Sequence, residues 1–252
     1  MSEGSASRKT LQDEFDRVAA VYAERTKGRF DAMDVVSFSR VAPDESVAEV
    51  GAGTGNFLAL FKDVSARRIA VDLTKGMLDE ARRRDPSLEL IQTDGARLPL
   101  RSGSVDLVAS AQTLHHILKP LPVLMEMRRV AGADGRVLIV DQLATERYEE
   151  MAFMNELEAL RDPSHASSRP PSALRMLVLS AGLEIVDERI HEERERLSEW
   201  MPAGEFPEAR IERVREFVAK FGPETGMEFE PDGDDFIFTR RRLMLLAHRT
   251  VP

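Results

Sequence analysis

The 252-residue chain contains no cysteine, and that absence alone removes several classes of chemistry. Disulfides, thiolate metal sites, iron–sulfur radical centres and every mechanism that starts from a cysteine nucleophile are excluded. Methylation of cytosine at carbon-5 by the cysteine-initiated route is one of them. Long apolar runs are missing too. Nowhere do about eighteen apolar residues follow one another, so no membrane-spanning helix is expected. The N-terminal MSEGSASRKT lacks the apolar core of an export signal, which points to the cytoplasm. Nor is there an excess of positive charge. Lys and Arg number 35 against 44 Asp and Glu, a formal net charge of −9. Nucleic-acid binders are usually basic, because phosphate contacts dominate their affinity, so a nucleic-acid partner is disfavoured. The clusters Arg82, Arg83, Arg84 and Arg240, Arg241, Arg242 read as solvated faces of a helix or strand. Internal repeats and low-complexity tracts are absent.

What is present is ordinary for a folded chain: 42% apolar and 31% charged residues, enough for one α/β domain over residues 1–252. Residues 1–10 read as disordered. Leu11, Phe15, Val18, Ala19 and Tyr22 then follow helical spacing, and Phe30, Met33, Val36 and Val41 form a second apolar-periodic stretch. From Ser46 the pattern alternates. SVAEV, RRIAVD, LELIQTD, VDLVAS and GRVLIVD read as strands; NFLALFKDV, TKGMLDEARRR and LPVLMEMRRVA read as helices between them. Such alternation predicts a Rossmann-like, doubly wound α/β fold with a parallel sheet and right-handed crossovers. Residues 144–161 and SALRMLVLSAG read as helices, with Gly182 as a C-terminal cap. The runs LEIVDERI and FIFTRRRLMLLAH flank a charged helical insert, residues 198–232, and can pair antiparallel at the end of the sheet.

In open α/β sheets, ligands bind at the carboxyl ends of strands, where strand order reverses. The first loop there is Gly51-Ala52-Gly53-Thr54-Gly55, preceded by Glu49. Glycines permit the tight turn and let a ligand press on backbone. A dinucleotide fingerprint would place its third glycine at position 56, where this chain has Asn56. Asp72 ends the second strand. A carboxylate there can accept hydrogen bonds from two ribose hydroxyls, or serve as the acid at a helix N-terminus. Leu73 and Met77 can plate a flat base or belong to the core. Asp94, followed by Gly95 and Ala96, can accept from an exocyclic amino group or support the turn before Pro99. Ala111 and Gln112 leave the fourth strand with space for a ligand chain.

Together these four elements resemble class I S-adenosylmethionine-dependent methyltransferases, in particular the small-molecule branch typified by ubiquinone- and menaquinone-pathway enzymes. VAEVGAGTGNF, VDLTKGML, TDGARLPLRSGSVDLVASAQTLHHI and RRVAGADGRVLIVD carry the resemblance over roughly residues 47–141. It implies S-adenosyl-L-methionine as cofactor, S-adenosyl-L-homocysteine as product, and a seven-stranded sheet whose last strand is antiparallel. It also implies that Glu49, Gly51, Gly53, Thr54 and Gly55 border the methionine portion. Asp72 would hold the ribose, Asp94 and Gly95 would meet the adenine, and Ala111 and Gln112 would lie beside the sulfonium. Residues 11–42 would form a helical lid, 43–142 the cofactor-binding core, and 143–252 the substrate-side half. AGADG departs from the family's usual K-P-G-G before the fifth strand, at a turn remote from the cofactor loop.

Methyl transfer from a sulfonium mainly requires alignment and exclusion of water, and a general base only where the acceptor must lose a proton. His115 and His116 follow strand four and Asp141 ends strand five, so a histidine oriented by Asp141 is a candidate base. The alternative has one histidine packing and the other capping. His165, in Asp162-Pro163-Ser164-His165, either borders the substrate or belongs to a surface turn. Tyr22 is either part of the lid or a core aromatic. No ligand spacing for a metal is found. A small-molecule acceptor for O-, N- or C-methylation is expected, its pocket built by residues 11–42, 143–170 and 198–232. Phe153, Met154, Trp200, Met201, Phe206 and Phe217 serve as that pocket's apolar lining or as core. An oligomer of identical chains is left open. Two other readings stand beside the first: a protein that binds S-adenosylmethionine without transferring the methyl (scaffold, sensor or cyclase), and an NAD(P)-dependent oxidoreductase, to which Asn56 is the obstacle.

Overall fold

A computed structural model describes residues 19, 22–24, 26–203 and 205–249. The expected disorder of residues 1–10 and most of the expected helix from Leu11 lie outside the described residues. Five strands alternate with helices as the sequence pattern requires: β1 (Ser46–Val50), β2 (Arg67–Asp72), β3 (Glu89–Gln92), β4 (Val105–Ala111) and β5 (Ala131–Gln142). All pair parallel. Two long strands, β6 (Leu183–Arg196) and β8 (Asp235–Arg249), complete the sheet, and a short β7 (Glu230–Asp232) hairpins onto β8. The order is β3-β2-β1-β4-β5-β8-β6. β8 runs antiparallel to both β5 and β6, so the seven-strand path has its chain-terminal strand reversed, as expected, with β7 as an eighth strand beside it.

The central strands β1, β2, β4 and β5 are buried on both faces, which is why they read as nearly continuous apolar runs. Period-two alternation sends Ala48, Val50, Ile69 and Val71 into one layer, and Val47 and Ala70 into the other. Helices cover these layers: α1 (Val35–Ser39), α2 (Lys75–Arg84), α3 (Leu121–Val130), α4 (Tyr148–Arg161) and α5 (Pro171–Ser180). The insert holds α6 (Leu197–Trp200) and α7 (Glu208–Phe221). With α4 and β8 it forms a third apolar cluster around Trp200, Phe217 and Phe238.

Two expectations need correction. NFLALFKDV does not form an α-helix; it makes a single 3-10 turn, Leu58–Phe61. Phe57, Leu58 and Phe61 are all buried, and Phe57 stacks edge-on with Phe30 at 5.2 Å. Packing of three adjacent large side chains overrides helix propensity here. The second correction concerns Arg240, Arg241 and Arg242, which are not a solvated face. Arg242 is 2% exposed and bonds Glu193 at 2.7 Å, while Arg240 bonds Glu195 at 2.7 Å and Arg241 bonds Glu192 at 2.8 Å. Glu192 lies directly across the ladder from Arg241, while Glu193 and Glu195 sit diagonally from Arg242 and Arg240, and opposite charges at such cross-strand positions stabilise one another.

Candidate functional site

Strand order reverses between β1 and β4, and a cavity of about 720 Å³ opens at the carboxyl ends of β1, β2 and β4. The glycine loop forms one wall. Gly51 has φ +78°, and a β-carbon on it would lie 2.3 Å from the Thr113 side chain. The Thr113 hydroxyl donates to the Gly51 carbonyl at 3.1 Å. Gly51, Ala52, Gly53 and Thr54 all line the cavity; Gly55 does not. Its φ is +76°, and a β-carbon on it would lie 3.3 Å from Leu88 and 3.4 Å from Ala81 of α2.

Asp72 takes the helix-N-terminus role that its position allowed and also lines the cavity. Its Oδ1 accepts from the Thr74 N–H at 2.8 Å, just before α2, and its Oδ2 accepts from the Gly53 N–H at 2.8 Å. Each carboxylate oxygen keeps a second lone pair, and the residue lines the cavity. Burial raises its pKa, opposed by the Thr74 and Gly53 N–H groups. Glu49 is 1% exposed, and its Oε2 has no hydrogen-bond partner. Burial, reinforced by the Asp72 charge, pushes its carboxyl well above the ordinary range. A buried carboxyl facing a cavity with an unpartnered oxygen fits a cationic hydrogen-bond donor.

Asp94 likewise supports a turn, its Oδ1 accepting from the Ala96 N–H at 3.0 Å, and it lines the same cavity together with Gly95, Ala96, Leu73 and Met77. Gly95 is required sterically: a β-carbon there would come within 2.6 Å of Val50 Cγ1. Ala111 and Gln112 complete the wall. Gln112 has φ +52°, and its buried Nε2 has no hydrogen-bond partner. Left-handed backbone at a non-glycine residue costs on the order of 1–3 kcal/mol and recurs at functional sites.

The histidines divide. His115 Nδ1 is 2.5 Å from Asp141 Oδ1, and the His115 N–H donates to Asp141 Oδ2 at 3.2 Å. Burial works against the Asp141 charge, but His115 holds its pKa below the ordinary value. This dyad is buried and absent from the cavity wall. His116 is the histidine that lines the cavity. Its Nδ1 lies 3.2 Å from the Ser164 carbonyl and 3.1 Å from Ser164 Oγ, and that hydroxyl donates to Asp162 at 2.6 Å. A carbonyl can only accept, so the proton sits on Nδ1 and Nε2 is the acceptor nitrogen. Burial, followed by the His115 ring 4.1 Å away, pushes His116 down to about 3. His165 lies off the cavity, its Nε2 2.8 Å from Asn155 Oδ1.

Wall residues that sequence reasoning missed include Thr113, Arg29, Arg97 and Lys119, and it missed the role of Asn56. The Asn56 side chain bonds both Thr26 and Arg84, and Arg84 also reaches the Ala23 carbonyl at 3.0 Å. Position 56 thus ties the strip around residues 23–26 to the glycine loop. Tyr22, Thr26, Arg29 and Phe30 of this strip line the cavity. Among the described residues, none from 143–170 or 198–232 lines this cavity. Met154, Trp200, Met201 and Phe217 are buried core and Phe153 and Phe206 pack against it. Among the described residues no group of three or more metal-ligating side chains occurs, and no helix is long and apolar enough to cross a membrane.

Residues 48–139 match the methyltransferase domain family. The chain is 32% identical over 127 residues to the uncharacterised methyltransferase YcgJ of Bacillus subtilis, covering 48% of this chain and 50% of that one. It is 28% identical over 148 residues to demethylmenaquinone methyltransferase of Renibacterium salmoninarum, covering 54% of this chain and 62% of the relative. The chain thus spans about half to three-fifths of the length of these curated relatives. The solved YcgJ structure shares the fold, with a TM-score of 0.77 at 22% identity over 86% of this chain and 97% of that one. Residues 48–139 are thus similar to a methyltransferase domain, and the fold is shared with the solved YcgJ structure.

Proposed function

We propose that the chain transfers a methyl group from S-adenosylmethionine to the oxygen, nitrogen or carbon of a small-molecule acceptor. One observation carries the reading: Glu49, Asp72 and Asp94, from three neighbouring strand tips, face a single cavity. When bound, the cofactor supplies a methyl carbon already activated on a sulfonium. The remaining lone pairs of Asp72 suit two ribose hydroxyls, and Asp94 with Leu73 and Met77 suits a purine. Glu49 suits the methionine ammonium, while Ala111 and Gln112 border the sulfur. Phe30 and Phe57 add apolar surface to the cavity wall, and expulsion of water from such a site strengthens the charge interactions inside it.

On this reading His116 is the group that meets the acceptor. With the proton fixed on Nδ1, its Nε2 accepts a hydrogen bond from an acceptor O–H or N–H and orients the lone pair behind it. His115 and Asp141 are positioning residues that hold the turn carrying His116, and His165 supports the adjoining loop through Asn155. Calorimetry with S-adenosylhomocysteine tests the cofactor assignment; folded protein that does not bind it would end the proposal. Methyl-labelled cofactor, incubated with small-molecule extracts, then separates a transferase from a protein that only binds, because only a transferase moves the label.

A further inference from the structure

The cavity wall carries the acids Glu49, Asp72 and Asp94 and also the cations Arg29, Arg97 and Lys119. The Arg29 guanidinium bonds the Tyr22 hydroxyl at 3.2 Å and lies 5.6 Å from that ring's centre. Among the described residues no carboxylate comes within ion-pairing distance of Arg29; Arg84 and Arg169 also lack one but donate to amide or carbonyl oxygens, whereas several other buried or half-buried arginines have a carboxylate. Arg240 has Glu195 at 2.7 Å, Arg242 has Glu193 at 2.7 Å, and Arg68 has Asp85 at 2.6 Å. Arg161 has Glu158 at 3.4 Å. Burial lowers the Arg29 pKa, and the charges of Arg240 and Arg161 lower it further against the pull of Tyr22. Arginine nevertheless keeps its charge in proteins. A half-buried guanidinium backed by two others and facing a cavity lacks only its anion, and a planar fork of donors matches a carboxylate bidentately.

We propose that Arg29 is the receptor for a carboxylate within this cavity. The proposal rests on the methyl-transfer reading, which provides two sources of that group: the amino-acid end of the cofactor and an acidic acceptor. Either way the bound carboxylate neutralises the Arg29 charge. Arg29 therefore selects a ligand with an acid at that end over its amide, ester or decarboxylated counterpart.

The test compares wild type with Arg29→Met and Arg29→Lys, each checked for folding by thermal melting. Calorimetry measures S-adenosylhomocysteine against 5′-methylthioadenosine, which shares the purine, ribose and thioether but lacks the amino-acid end. If the cofactor is the source, Arg29→Met weakens S-adenosylhomocysteine tenfold or more and leaves 5′-methylthioadenosine unchanged, with Arg29→Lys between. If the acceptor is the source, both nucleosides bind unchanged, and benzoate, but not benzamide, binds the S-adenosylhomocysteine-saturated wild type and not Arg29→Met. Equal weakening of both nucleosides, or no Arg29-dependent binding of either acid, overturns the proposal. Wild-type protein that binds neither nucleoside overturns the methyl-transfer reading instead. Benzoate titration of the ligand-free wild type and Arg29→Met then decides the Arg29 assignment by itself.

Discussion

Glu49 carries the least ordinary carboxyl in the cavity, and its pH dependence has a definite sign. Its pKa in the folded protein lies well above 4.5, through burial first and Asp72 second. The folded state therefore binds this proton more tightly than the unfolded one, and its contribution to stability is fully present below pH 4.5 and lost as pH rises through the folded value. Glu49→Gln should remove that part of the decline in melting temperature of the ligand-free protein as pH is raised above the ordinary carboxyl range. A cationic ligand reverses the shift, so binding of S-adenosylhomocysteine should release a proton in the wild type and none in Glu49→Gln, read by calorimetry in buffers of differing ionisation enthalpy. A second prediction concerns Gly51. Alanine there combines left-handed backbone with overlap on Thr113, so Gly51→Ala should destabilise by about 1–3 kcal/mol in denaturant unfolding. At this scale the sequence was most informative where backbone chemistry dictates residue type: Gly51, Gly53, Asp72 and Asp94 stand where the motif puts them. It could not distinguish His115 from His116, because which of two adjacent side chains turns toward a cavity depends on Asp141 and Ser164, each distant in the chain.

Among the elements, the segment after the glycine loop governs how the cavity is closed. Because Phe57, Leu58 and Phe61 turn inward, Asn56 is left at the surface of the loop, bonded to Thr26 and Arg84. The two contacts join α2 to the strip bearing Tyr22 and Arg29. Arg84→Met leaves the cavity wall itself intact, since Arg84 is not part of it. Each hydrogen bond contributes about 0.5–1.5 kcal/mol; Arg84→Met should therefore speed dissociation of S-adenosylhomocysteine several-fold in stopped-flow measurements, with Asn56→Ala having a larger effect. An unchanged rate would mean that the strip is held by other contacts. Periodicity made the strands and α2, α3, α4 and α5 legible, since each buries one face. It failed for NFLALFKDV, whose apolar spacing suits a helix but whose three large side chains all find neighbours on the same side.

Taken as a whole, the molecule separates a half that lines the cavity from a half packed into its own apolar cluster. The insert was expected to meet the acceptor; it closes on α4 and β8 instead, and the aromatic spacing could not tell a pocket from a core because both demand the same side chains. Trp200, 2% exposed, packs 5.1 Å from Phe238 and carries the Arg161 guanidinium 4.4 Å over its ring. Trp200→Ala should cost about 3–5 kcal/mol of stability in denaturant unfolding, while S-adenosylhomocysteine affinity of the folded variant stays as in the wild type. A parallel fall in affinity would show that the two halves are coupled. Strand β6 has a different consequence. It is fourteen residues long and forms the outer margin of the sheet, with one row of peptide groups unmatched. Such a margin invites another polypeptide to zip alongside. Its sequence, dense in Glu and Arg from Glu184 to Arg196, makes any like strand that approaches in register meet its own charges. Concentrated salt, by screening that repulsion, should turn the solution cloudy sooner than dilute buffer does.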